Sequence, residues 1–115
     1  NFSKKENYLK LSESAYLRAL ELEPTYARAM YGLAILYVFD LNESEKAIPL
    51  LEKLLTIDTR NTDAMMVLAN AYYQNYEFDK AVELYDKIIS ISTSPEKKAA
   101  AEANKKLVLE MAYGE

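Results

Sequence analysis

Two stretches of this chain repeat one another at a nearly fixed spacing. Leu33, Ala34 and Tyr37 recur as Leu68, Ala69 and Tyr72, each 35 residues later. Ala47, Leu51, Leu54 and Ile57 recur as Ala81, Tyr85, Ile88 and Ile91, each 34 residues later. The change from 35 to 34 places one extra residue between Tyr37 and Ala47, which the polar stretch Asp40–Ser44 is expected to hold as a loop. Thr62 to Ile91 reads as two short amphipathic helices with a few polar residues between them. A period of this size, built from helix pairs, is the signature of a helical repeat array, in which no hairpin buries its apolar face alone and neighbours must stack to do so. That organisation points to a surface for other proteins.

Composition agrees. The chain has 115 residues, half of them hydrophobic, with two glycines and three prolines. That is enough for one domain, and it favours helices over a sheet. The net charge of −4 repels phosphate backbones, so nucleic acid is not an expected partner. Cysteine and histidine are both absent, which removes disulfides, thiolate chemistry, most nucleophilic triads and most transition-metal sites. No cofactor is expected and no enzyme activity is read. No apolar run reaches the roughly 18 residues of a membrane span, so direct membrane insertion is not expected either. A chain opening on Asn1 rather than Met reads as a piece of something longer, and the compartment stays open.

In order, Ser3 to Glu6 has capping-box spacing, so the first helix is expected from Ser3 to Glu23, stopped by Pro24. Its Ser12, Tyr16, Ala19 and Leu22 (or Leu20) align with Ala47, Leu51, Leu54 and Ile57, so it is the second half of a hairpin. A second helix is expected from Thr25, as its cap, to Phe39, with Met30, Leu33, Ala34 and Tyr37 as core stripe. Gly32 inside it implies the close approach of a neighbour. Asn42 and Glu45 have cap spacing for a third helix, which runs to about Ile57 and bends mildly at Pro49. A fourth helix spans about Thr62 to Asn75 and a fifth about Phe78 to Ser92. Ser94-Pro95 then starts a sixth, with Ser as cap and Pro in the first helical position, and Gly114 as its stop.

With these residues in place, the chain resembles the tetratricopeptide repeat family. Its helix A carries a large residue, a large–small pair and an aromatic; its helix B carries a small residue and an aromatic. Those roles fall to Met65, Leu68, Ala69, Tyr72, Ala81 and Tyr85, and earlier to Met30, Leu33, Ala34, Tyr37, Ala47 and Leu51. Tyr16, Ala19 and Pro24 supply a helix B, and the last helix fits loosely through Ala100, Ala103, Asn104 and Leu107. The resemblance implies an all-α, superhelical stack of about six helices in antiparallel pairs. Residues 1–24 form the second half of a truncated repeat, 25–61 and 62–94 two repeats, and 95–115 a C-terminal capping helix. Leu54 and Ile88 stand where the family has a small residue, Thr59 and Thr93 where it has proline, and Ser12 where it has alanine. The two large residues are expected to push the following helix A outward.

The resemblance also implies where a partner binds. The inner, concave face of such arrays is lined by helix A residues off the core stripe: here Arg28, Tyr31, Ile35, Val38 and Phe39, then Asp63, Met66, Asn70, Tyr73 and Gln74. Lys98, Ala101 and Lys105 follow from the last helix, with Val108 or Leu109 beside them. So many apolar side chains on an open surface signal a partner or a covering copy. Tyr31, Phe39, Met66 and Tyr73 suit an apolar peptide or an amphipathic helix, and the adaptable methionine suits varied side chains. The rival expectation is self-association, with the groove or the open ends pairing with another copy or with further repeats. Tyr31 and Met66 replace the cations or amides of the chaperone-tail carboxylate clamp known in the family, so that specificity is not expected. Glu13 with Glu21 and Glu77 with Asp79 read as solvated faces, and Ser92-Thr93-Ser94 as a turn and cap.

Overall fold

A computed structural model describes residues 2–114. It is all-helical. The described residues form α1 (Phe2–Leu22), α2 (Ala27–Ile35), α3 (Ser44–Ile57), α4 (Thr62–Gln74), α5 (Phe78–Ile91) and α6 (Pro95–Tyr113), with a π-helical turn (Leu36–Asp40) continuing α2. Each helix packs on the next in chain order, and α2 also touches α4. The result is drawn out, with a radius of gyration of 15.0 Å against about 13 Å for a globule of this length.

The extra residue lies in a helix, not in the loop where the repeat spacing had placed it. Leu41 N–H donates to the Leu36 carbonyl at 2.9 Å, a bond five residues long that widens one turn. The two hairpin turns then match residue for residue. Asn42 and Tyr76 both take positive φ, at 54° and 63°. Glu43 N–H closes back on the Tyr37 carbonyl and Glu77 N–H on the Tyr72 carbonyl, both at 2.8 Å. Glu43 then pairs with Lys46 at 3.0 Å and Glu77 with Lys80 at 3.4 Å. Each lysine lies over the preceding tyrosine ring, Lys46 at 5.6 Å from Tyr37 and Lys80 at 5.4 Å from Tyr72. Asn42 is therefore a left-handed turn residue and not a cap. Glu43 is the N-cap of α3, without a side-chain cap bond.

Other ends differ by small, explicable amounts. Tyr26, not Thr25, is the N-cap of α2. α1 already includes Phe2, so Ser3 lies inside the first turn; the preceding Asn1 falls outside the described residues. Asn61 caps α4 through Ala64 N–H at 2.9 Å, and Ser94 caps α6 through Lys97 N–H at 3.2 Å. α3 runs unbroken through Pro49, whose position in the second turn removes a single backbone bond. Gly114 ends α6 with an extended backbone.

The core stripe is Met30, Leu33, Ala34 and Tyr37 with Met65, Leu68, Ala69 and Tyr72, closed by Ala47, Leu51, Leu54, Ala81, Tyr85 and Ile88; all are buried. Ala34, Ala47, Ala69 and Ala81 are wholly enclosed. No larger side chain fits there without forcing the helices apart. Leu54 and Ile88 are enclosed as well. The close approach at Gly32 is made by a side chain: a Cβ there would stand 2.6 Å from the Tyr16 ring. α1 contributes no buried residue. It lays Leu9, Tyr16 and Leu20 against the core and leaves Leu22 exposed.

Two tyrosines tie successive hairpins together. Tyr37 donates to Glu13 of α1 at 2.8 Å, and Tyr72 donates to Glu52 of α3 at 2.6 Å. Burial, then the hydrogen bond to the carboxylate, holds both phenols well above their usual range.

Candidate functional site

Helices α2, α4 and α6 share one side of the stack, and most of the residues expected to meet a partner lie on it. At one end of this side Asp63 pairs with Lys97 at 3.0 Å, and Lys97 also donates to Thr62 Oγ1 at 3.3 Å. Tyr31 stands beside both. Burial and then Asp63 raise its phenol, and Lys97 opposes them. The structure thus brings Tyr31 and Asp63 together, but with Lys97 and not Lys98 as the cation, because α6 is rotated relative to the expected register. Arg28 and Lys98 are exposed; Ile35 and Met66 are half-buried against the core.

Further along, Asn70, Tyr73 and Gln74 form a second group. Gln74 Nε2 donates to Asn70 Oδ1 at 2.9 Å. Tyr73 stacks at a tilt on Phe78, ring centroids 5.8 Å apart, and Phe78 meets Tyr76 edge-on at 6.2 Å. Asn70 and Tyr73 also line a cleft of about 270 Å³ with Tyr85, Asn104, Leu107, Val108 and Met111.

Two expected contact residues are unavailable. Val38 is buried because the π turn carries it inward, and the same turn leaves Phe39 exposed at 56%. Ala101 is wholly buried. It and Val108 are the buried residues of α6, with Lys97, Asn104 and Lys105 half-buried beside them. Ala100, Ala103 and Leu107, through which the last helix fits the family pattern loosely, are exposed. Lys105 turns away to pair with Asp86 at 2.6 Å. Asn104, Leu107 and Met111 therefore line the cleft in place of Lys98, Ala101 and Lys105. The signal was present: counting from the Ser94 cap, positions 97, 101, 104 and 108 recur at three and four residues.

A larger cleft, about 690 Å³, lies elsewhere. It runs along the outer side of α5 and α6 between Asp86, Ile89, Lys105, Leu109, Glu110 and Tyr113. On α1, at the other end, Tyr8 and Leu11 line a smaller hollow with Lys4 and Asn7. Among the described residues no helix is long and apolar enough to cross a membrane, and no cluster of three or more acidic side chains is placed to hold a metal ion.

Comparison with known proteins agrees with this geometry. Residues 38–103 match one tetratricopeptide repeat model and residues 15–48 match another. The chain is 28% identical over 89 residues to Superkiller protein 3 of Schizosaccharomyces pombe. That stretch is 77% of this chain and only 6% of the yeast protein. Repeats of this kind generally mediate protein–protein interaction, bind proteins or peptides and are generally non-catalytic. The paired helices, the alanine contacts between them and a model match over more than half the chain lead to one conclusion: the chain belongs to the tetratricopeptide repeat family.

Proposed function

We propose that this chain is a binding module whose concave face, formed by α2, α4 and α6, holds a peptide or an amphipathic helix of another protein. One observation carries the reading. Half-buried Tyr31, Ile35, Met66 and Tyr73 are continued on that side by exposed Leu107 and Met111. An apolar track of this kind, flanked by the amides of Asn70, Gln74 and Asn104, suits helix-in-groove recognition. Arg28, Asp63 and Lys98 stand at the margin of the track and set orientation more than affinity.

The test is a display selection of helical and extended peptides against the domain, followed by rebinding to the Tyr31→Glu, Tyr73→Glu double variant. Neither side chain belongs to the fully enclosed core, so circular dichroism should be unchanged. Selected peptides should weaken by about 30-fold or more, as for hot-spot aromatics. Equal binding by the folded variant would place the site elsewhere.

A second reading, self-association, has its own support. Tyr8 and Leu11 on α1, and Leu109 and Tyr113 on α6, are exposed at opposite ends of the stack. A light-scattering concentration series separates the two readings, since a strict monomer throughout would remove self-association.

A further inference from the structure

Tyr85 combines two properties that seldom coincide. Its side chain is 3% exposed, and among the described residues none pairs with its hydroxyl. Buried hydroxyls are normally hydrogen-bonded. Among the described residues no polar side-chain atom is both sealed from solvent and unpaired, so the Tyr85 hydroxyl is open to solvent-accessible space, and Tyr85 lines the cleft of about 270 Å³ between α4, α5 and α6. By contrast, Tyr37 and Tyr72 each spend their hydroxyl on a carboxylate. Burial, and then the nearby Tyr73, raise the Tyr85 phenol, so it stands as a neutral O–H able to donate and accept.

The cleft has a defined chemistry. Its walls are the Tyr73 ring, Leu107 and Met111, an aromatic and thioether lining that favours a flat ring. Asn104 lines the cleft with Tyr85, neither end of its amide paired among the described residues, and Asn70 keeps its N–H2 after Oδ1 is taken by Gln74. No charged side chain lines the space, so a carboxylate or ammonium there would lose hydration without an opposite charge in return. An indole N–H can only donate. A phenol donates and accepts at one atom, and so matches a hydroxyl and an amide together. Size permits it, since a cavity of about 150 Å³ already holds benzene.

We infer that this cleft is a side-chain pocket for a tyrosine of the bound partner, its ring between Tyr73 and Met111, its hydroxyl between Tyr85 and Asn104, and its backbone carbonyl on the Asn70 amide. The assignment rests on the groove reading above and gives that groove one specific residue to select.

The test is titration of the isotope-labelled 115-residue domain by NMR with three probes: p-cresol, toluene and N-acetyltyrosinamide. Saturable shifts at Asn70, Tyr85, Asn104 and Met111 are expected, with p-cresol bound about 25-fold tighter than toluene, the worth of two neutral hydrogen bonds. Tyr85→Phe keeps the ring and should cut that preference to about fivefold, the share of the remaining Asn104 bond, while toluene binding persists. N-acetyltyrosinamide should bind tighter than p-cresol, and Asn70→Ala should remove that gain. Equal binding of p-cresol and toluene, or an unchanged preference in folded Tyr85→Phe, would overturn the pocket. Tighter binding of p-cresol than of the amide would overturn a peptide source in favour of a free phenol. No saturable shift, with the Tyr31 and Tyr73 dependence of selected peptides intact, would remove this pocket and leave the groove standing.

Discussion

Removing one hydroxyl tests how the hairpins are joined. Tyr72→Phe leaves a buried ring in place and deletes only the 2.6 Å bond to Glu52. A hydrogen bond to a charged group contributes about 1.5–3 kcal/mol. Glu52 is exposed, so water competes for the carboxylate and brings the expected loss to about 1–1.5 kcal/mol. Unfolding entropy near 2.1 cal/mol/K per residue, over 115 residues, is about 0.24 kcal/mol/K. The melting temperature should therefore fall by about 5 °C. The assay is a double-mutant cycle in urea with Tyr72→Phe, Glu52→Ala and their combination, which cancels the helix propensity gained by alanine. A coupling of about 1 kcal/mol is expected, and a similar one for Tyr37 with Glu13 across the 2.8 Å bond. Coupling under about 0.3 kcal/mol at both junctions would refute the claim that these tyrosines fasten one hairpin to the next.

Ile88→Ala empties a wholly enclosed site in α5 and should cost about 2–5 kcal/mol by denaturant midpoint. Ser94→Ala removes the cap bond to Lys97 N–H and should cost about 1 kcal/mol, read as earlier hydrogen exchange in the first turn of α6. The phenols of Tyr37 and Tyr72 are raised above their ordinary 10.0. Their contribution is whole below that value and is lost as pH rises beyond it, so stability should fall above about pH 10, less steeply in the Tyr37→Phe, Tyr72→Phe variant. Deleting Asp40 should turn the π turn into plain α-helix with helicity kept. Deleting Gln74 from the regular α4 should shift the Tyr76 turn and destabilise the fold more, as circular dichroism melts would show.

The two central hairpins were legible because their signals are local and repeated. Large–small pairs such as Leu68–Ala69 recur with their partners Ala81 and Tyr85, and only helix stacking buries both sets. The π turn was not legible. A one-residue insertion costs little either in a loop or in a widened helical turn, and only the 2.9 Å bond from Leu41 to Leu36 decides between them. The face of α6 was misread because alanine carries little periodic signal. Ala99, Ala100, Ala101 and Ala103 fit several stripes, and the buried choice is set by packing on α5. On the candidate binding side, Tyr31, Met66, Asn70 and Tyr73 followed from repeat position. Tyr85 did not, because an aromatic at a core position gives no hint that its hydroxyl stays unpaired.

The most direct test is the hydrogen-exchange footprint of a selected peptide on the intact domain. Binding on the side formed by α2, α4 and α6 predicts added protection around Tyr31, Met66, Asn70, Tyr73 and Met111, with the outer face of α1 unchanged. Protection confined to α1 around Tyr8 and Leu11, or to the outer side of α5 and α6 around Ile89 and Tyr113, would contradict that account and make the ends of the stack its binding surface.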